Sequence, residues 1–312
     1  MQRFPIQPVT ETTVNEIVER LYNQRPRLEG LSGGVNFPVY GFSFADSREA
    51  WVIKLAGVDQ WRPWALLDEI AAMRALRSAG LVEVPEIEGT QEDLGWSTIP
   101  FFITRRIRPG VQIESHLGPD DPDAEQIWRQ AGALRARFGQ VDWQCTTRTL
   151  TPRQAAEQIV RFINNTMPYL DRHPVYRGVF DDLLAAVKEV AMAQGEAFGQ
   201  GDAAEILTCD QQGLAMVDFS GFVGAHRRLR EIGMINGRLR FQYNGDARLP
   251  TWHEQGFFAG EAITPAMRQE LTLWELYALV MDVGWLTELG HQAEAENKLA
   301  FAQQYLRQTQ PV

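Results

Sequence analysis

Cysteine is scarce in this chain: 312 residues carry two, Cys145 and Cys209. Two thiols are too few for a disulfide scaffold and lack the spacing of a metal-binding pair, so a reducing cytoplasm is the expected setting. The histidines, His116, His173, His226, His253 and His291, also lack metal-ligand spacing. No apolar run approaches the ~20 residues that cross a bilayer, and the first residues lack the apolar core of a signal peptide, so no membrane association is expected. Basic residues are outnumbered. The net charge of −10 argues against sequence-independent nucleic-acid binding and suits a cationic small-molecule partner. What remains is the composition of a globular chain, 45% hydrophobic and 22% charged, long enough for two lobes with separate cores.

The order of segments narrows the choice. Val14, Ile17, Val18 and Leu21 fall at i, i+3, i+4 and i+7, which predicts a helix capped by Thr10 or Thr12. Gly33-Gly34 then sits between apolar, strand-like runs that extend to Phe44. Paired glycines let backbone N–H groups approach a phosphate, and they serve a plain hairpin turn equally well. No Gly-Lys-Ser/Thr follows, which excludes a Walker-type loop. Ala50-Trp51-Val52-Ile53-Lys54-Leu55 reads as a strand with a lysine inside it. Such a lysine either snorkels to solvent or is held by a partner. In the next helix, Leu66, Ile70, Met73 and Leu76 mark the apolar face, and Glu69 lies beside it, able to point back at Lys54. Val84 to Ile87 and Thr98 to Thr104 predict two further strands that complete a five-stranded antiparallel sheet. The run Arg105-Arg106-Ile107-Arg108-Pro109-Gly110 follows, and its arginines also read as a solvated face.

Beyond Gly110 the pattern is helical over Glu125 to Phe138, Pro152 to Asn165 and Phe180 to Gln194. Gly221 to Gly260 reads as irregular, and Thr264 to Arg307 as two helices. Between these stretches, Phe198 to Ser220 sets Asp202 and Asp218 against short apolar runs separated by the polar turn Asp210-Gln211-Gln212-Gly213. The pattern predicts a loop, a short hairpin and a second loop. Two carboxylates at one end of a hairpin can divide labour, one near a reacting hydroxyl and one on a magnesium ion beside a nucleotide. They can equally be incidental acids on a surface hairpin.

Gln200-Gly201-Asp202, Glu205-Ile206-Leu207 and Val217-Asp218-Phe219-Ser220 resemble the core of the aminoglycoside phosphotransferase and choline kinase family. The family pattern is His-Gly-Asp, then Asn-Ile-Leu, then a strand ending in Asp-Phe or Asp-Trp. The departures are Gln200 for His, Glu205 for the metal-binding Asn, and a shorter loop between Asp202 and Glu205. The glycine turn, Lys54, Glu69 and the Pro109-Gly110 turn past a hinge resemble the family's other parts, in the same order. The resemblance implies an α+β, bilobal protein-kinase-like fold: a small antiparallel-sheet lobe (1–106) for nucleotide and a larger, mostly helical lobe (107–312) for catalysis and substrate. It implies transfer of the γ-phosphoryl of ATP or GTP, with Mg2+, to a hydroxyl of a small molecule. It assigns Asp202 to the acceptor hydroxyl, Asp218 and Glu205 to the metal, and Gly33, Gly34 and Lys54 to the nucleotide. Glu69 orients Lys54, and Thr104 and Arg106 lie at the hinge, where backbone groups bond the base. The departures at 200 and 205, and the lack of an acid in Gly224-Ala225-His226-Arg227-Arg228, favour a rival reading: a pseudokinase that binds nucleotide or another ligand without transfer. A plain α+β scaffold with no nucleotide is the third class.

Overall fold

A computed structural model describes residues 9–31, 37–56, 63–95, 99–142, 151–193, 197–199, 205–209, 213–219 and 224–309. The chain divides into two units. One comprises Met1–Gln112, Thr146–Arg148 and Glu205–Gly221, the other Ile113–Cys145, Thr149–Ala204 and Phe222–Val312.

The first unit begins with helix α1 (Glu11–Tyr22), capped by Thr10, whose hydroxyl accepts from the Thr13 N–H. A cap of this kind satisfies one of the N–H groups that a helix start leaves without partners. Strands β1 (Arg27–Gly30), β2 (Val39–Ser43), β3 (Ala50–Leu55), β4 (Ile87–Thr90) and β5 (Phe101–Arg105), with helix α2 (Pro63–Ser78) between β3 and β4, complete the arrangement. The sheet is the expected five-stranded antiparallel one, in the order β1-β2-β3-β5-β4. Along β3 burial alternates: Trp51, Ile53 and Leu55 join the core with Val14, Ile17 and Val18 of α1, while Val52 and Lys54 take the opposite face. Each fully buried aliphatic side chain of this core contributes about 1.5–3 kcal/mol. The fourth strand starts at Ile87 rather than Val84 because Pro85 has no N–H to give a ladder. Thr90 then opens a short 3-10 turn, Gln91–Leu94.

A smaller sheet belongs to the same unit. Strands β6 (Pro109–Gln112), β8 (Glu205–Cys209) and β9 (Gly213–Val217) pair in the order β6-β8-β9, so the predicted hairpin is present, and Pro109-Gly110 begins a strand. Ile206 and Met216, opposite each other, are fully buried.

The second unit is mostly helical. It holds α3 (Ile113–His116), α4 (Ala124–Gly139), α5 (Pro152–Asp171), α6 (Pro174–Met192), α7 (Arg230–Gln242), α8 (Arg248–Phe258), α9 (Pro265–Glu288) and α10 (Gln292–Thr309), with a small ribbon of β7 (Ala197–Gly199) and β10 (Gly224–His226). Gly221 to Gly260 is therefore not irregular: it contains β10, α7 and α8. Three of its glycines, Gly233, Gly237 and Gly256, stand where helices touch. A Cβ on Gly237 would lie 2.2 Å from the Glu275 carbonyl oxygen, and one on Gly256 would lie 1.9 Å from that of Arg129. Close backbone approach, not a turn, requires glycine there. Among the described residues no helix is long and apolar enough to cross a membrane.

Candidate functional site

Strand register decides where Lys54 goes. Its neighbours Ile53 and Leu55 bury themselves on the α1 side of the sheet, so Lys54 projects from the other face, where α2 supplies Glu69. The Lys54 Nζ donates to Glu69 Oε1 at 3.1 Å and lies 2.9 Å from Oε2. It also donates to Asp218 Oδ1 at 2.8 Å. The Phe219 backbone N–H donates to Glu69 Oε1 at 3.1 Å. One glutamate thus holds both the lysine and the residue that follows Asp218. The Lys54 and Glu69 side chains are 12% and 2% exposed, while that of Asp218 is 40% exposed. The Phe37 ring closes another side of the ammonium, its centroid 5.3 Å from Nζ.

Charge follows from this geometry. Burial alone would depress the Lys54 ammonium, but the carboxylates of Glu69 and then Asp218 outweigh it and raise the lysine, which stays protonated. Burial pushes the Glu69 carboxyl up, Lys54 opposes that shift, and the Asp218 charge adds to it. Asp218 has a φ of 61°, a left-handed conformation that costs a non-glycine residue about 1–3 kcal/mol. Aspartate tolerates it better than most residues, and the bonds to Lys54 and from Phe219 to Glu69 hold it on both sides.

Glu205 opens β8 directly opposite Val217, so it lies across the ladder from the residue before Asp218, and it is half-buried. Among the described residues no group of three or more His, Cys, Asp or Glu forms a ready-made metal cage. Thr104 is buried in β5, opposite Val52 of β3 and Ile87 of β4. Arg106 donates to Glu29 at 2.5 Å, and its backbone N–H bonds the Ala50 carbonyl. Arg105 pairs with Glu88 and Glu49. Gly33, Gly34, Gln200 and Asp202 lie outside the described residues. Lys54, Glu69 and Asp218 are thus brought together, with Glu205 one ladder position away, while Thr104 and Arg106 are engaged within the sheet.

Sequence reasoning missed two participants. Phe219 acts through its backbone, which no side-chain pattern reports. Phe37 carried a usable signal: it precedes by two residues the Val39 that stands opposite Lys54, which puts it diagonally across from the lysine.

Residues 27–215 match the phosphotransferase enzyme family, also called APH. No curated protein sequence matches the chain. Among solved structures, it is similar to a thermostable mutant of aminoglycoside phosphotransferase APH(4)-Ia in ternary complex with AMP-PNP and hygromycin B. That pair has 14% identity and a TM-score of 0.67, covering 96% of this chain and 100% of that one. It is also similar to spectinomycin phosphotransferase APH(9)-Ia in complex with ADP and spectinomycin (13% identity, TM-score 0.60, covering 98% and 96%). A third is macrolide 2'-phosphotransferase MphH from Brachybacterium faecium (14% identity, TM-score 0.59, covering 93% and 97%). At such identities the likeness speaks for the fold. On the family match across residues 27–215, this chain belongs to the phosphotransferase enzyme family.

Proposed function

We propose that this protein transfers the γ-phosphoryl group of ATP or GTP to a hydroxyl of a small molecule. The observation that carries the reading is the cluster in which Lys54 Nζ touches both buried Glu69 and half-exposed Asp218. Phosphoryl transfer requires little covalent chemistry from the protein and much positioning and charge stabilisation. A lysine kept protonated by two carboxylates can hold phosphate oxygens, with Glu69 fixing its direction. Asp202 would face the acceptor hydroxyl and take its proton. The Gly33-Gly34 segment would lie over the phosphates, and the backbone around Thr104 to Arg106 would meet the base. The relatives solved with ADP or AMP-PNP support a nucleotide as donor, and the net charge of −10 suits a cationic acceptor.

The donor set fits a magnesium ion: Asp218 is 40% exposed, Glu205 lies across the ladder from Val217, and both offer hard carboxylate oxygens. Magnesium, when bound, would neutralise charge on the phosphate oxygens. Glu205 is one methylene longer than the family's Asn, which would partly make up for the shorter loop before it.

The decisive measurement is thermal shift with ATP and with GTP, with and without magnesium, followed by transfer assays over an acceptor panel. Magnesium-dependent stabilisation together with transfer that Asp202→Asn abolishes supports the reading. Binding without transfer to any acceptor makes the protein a pseudokinase, the reading that Gln200 and Glu205 favour. No stabilisation by either nucleotide overturns the transferase reading and leaves of the pseudokinase only a module for another ligand.

A further inference from the structure

We infer that Phe37 is a positioning residue for Lys54, holding the ammonium through the face of its ring. The inference rests on the phosphotransferase reading for its functional consequence, but the contact stands on geometry alone. Val39 is directly opposite Lys54 in the β2–β3 ladder, and the pairing continues one step outward through the Leu55 N–H to the Pro38 carbonyl at 3.1 Å. Phe37, two residues before Val39, is therefore the diagonal neighbour of Lys54, and aromatic and long side chains reach one another across such a diagonal. The ring centroid lies 5.3 Å from Nζ, inside the ~6 Å over which a ring quadrupole attracts a cation. Phe37 is 3% exposed and Lys54 12%, so water screens the contact little.

Phe37 lies on the face of the sheet away from the core shared with α1, against the lysine. Electrostatics supplies a reason. Two of the three Lys54 donors go to Glu69 and Asp218, so the ammonium already faces two formal negative charges. A third carboxylate would fix it further but would repel a polyphosphate. A ring face attracts the cation without a formal charge and without taking a hydrogen bond as a carboxylate would. Phe37 also directly follows the segment that carries Gly33 and Gly34, so it ties the start of β2 to the lysine.

The chain has three lysines, Lys54, Lys188 and Lys298, which makes site-resolved acylation practical. The amine that reacts is the neutral one, so weaker support for the ammonium speeds acylation. In the full chain, mono-, di- and trifluorinated phenylalanines at position 37 weaken the ring quadrupole with little change in volume. Acylation of Lys54 relative to Lys188 should rise stepwise along that series, by about three- to tenfold at its end, and ATP affinity should fall by a similar factor. Phe37→Leu should match the end of the series and Phe37→Tyr should stay near wild type. Flat acylation and affinity across the fluorinated series would overturn the inference, even if Phe37→Leu loses activity, because that loss would then be packing. If the unsubstituted protein binds neither ATP nor GTP, the phosphotransferase reading fails, and the acylation series alone decides whether the ring holds the lysine.

Discussion

The charged cluster around Lys54 in the first unit and the one around Arg135 in the helical unit are both buried and end differently. In the first unit, Lys54 and Glu69 are nearly sealed, yet the chain of contacts runs out to Asp218, 40% exposed and in a left-handed backbone. In the helical unit, Arg135 donates to Glu114 at 2.6 Å and reaches His253 Nε2 at 3.4 Å. The other His253 nitrogen bonds Asn236 Oδ1 at 2.8 Å, and Asn236 donates to Glu254, which Arg268 grips with both terminal nitrogens. That network links α3, α4, α7, α8 and α9. His253 is neutral there, because burial and then the Arg135 charge hold its pKa well below 6.5. Neutral His253 donates from Nδ1 and accepts at Nε2, which satisfies both neighbours. The difference is instructive. A network that ties helices to one another braces the unit, whereas one that delivers a half-exposed carboxylate on strained backbone has the form of a site.

The largest expected effect breaks the first cluster. Lys54→Met removes the cation from between two carboxylates, and catalytic efficiency should fall by about a hundredfold or more, the scale for losing a preorganised charge. Steady-state transfer assays measure it, and a thermal melt reports whether the buried Glu69 unsettles the unit. Activity near wild type would end the distinction drawn above.

Arg135→Ala is the counterpart in the second cluster. It removes the Arg135 guanidinium from Glu114 and withdraws a donor from His253, and removing one partner of a buried ion pair costs about 3–5 kcal/mol. Denaturant unfolding should show that loss while nucleotide affinity, measured where the variant is folded, stays within about twofold of wild type. A loss of affinity as deep as that of Lys54→Met would mean that both networks serve one site.

A smaller effect distinguishes the two through pH. Unfolded, His253 titrates near 6.5; folded, its pKa lies well below that. Above 6.5 neither state carries the extra proton. As pH falls below 6.5 the unfolded chain takes up a proton that the folded one refuses, so stability drops by up to about 1.4 kcal/mol per pH unit until the folded pKa is reached. His253→Gln should flatten the stability profile between about pH 6.5 and 5 by up to that slope, as read from unfolding midpoints.

Much of this was legible in the chain because the relevant patterns are local. A lysine inside the apolar run Ala50 to Leu55 marked Lys54 as needing a partner or solvent, and the period of α2 set Glu69 beside its apolar stripe, able to point back at it. The hairpin from Glu205 to Val217 was equally plain from its two apolar runs. Illegible parts were those in which a residue type plays against its usual role. Gly237 and Gly256 lie inside helices where the backbone of another helix comes too close for a Cβ, and Gly233 lies where the Cβ of Trp274 comes too close. Arg230, Asn236, His253 and Glu254 are buried polar residues at positions where an amphipathic pattern expects apolar ones. Together they made α7 and α8 look like loop.

Glu205 tests the boundary between site and scaffold most finely. It is half-buried on β8, opposite Val217, which puts it at the open end of the first cluster. A carboxylate there has two possible consequences. As a metal ligand beside Asp218 it would add a full negative charge where the family's Asn offers a neutral carbonyl, holding a divalent ion more tightly and repelling the nucleotide when the ion is missing. As a strand-end acid that takes no part in metal binding it would do neither. Glu205→Ala separates these. On the first account, the magnesium concentration for half-maximal nucleotide binding rises by about three- to tenfold, while binding without magnesium improves. Glu205→Asn should resemble Glu205→Ala, because the asparagine side chain is one methylene shorter and carries no charge. On the second account all three proteins share one magnesium curve, and the site ends at Asp218.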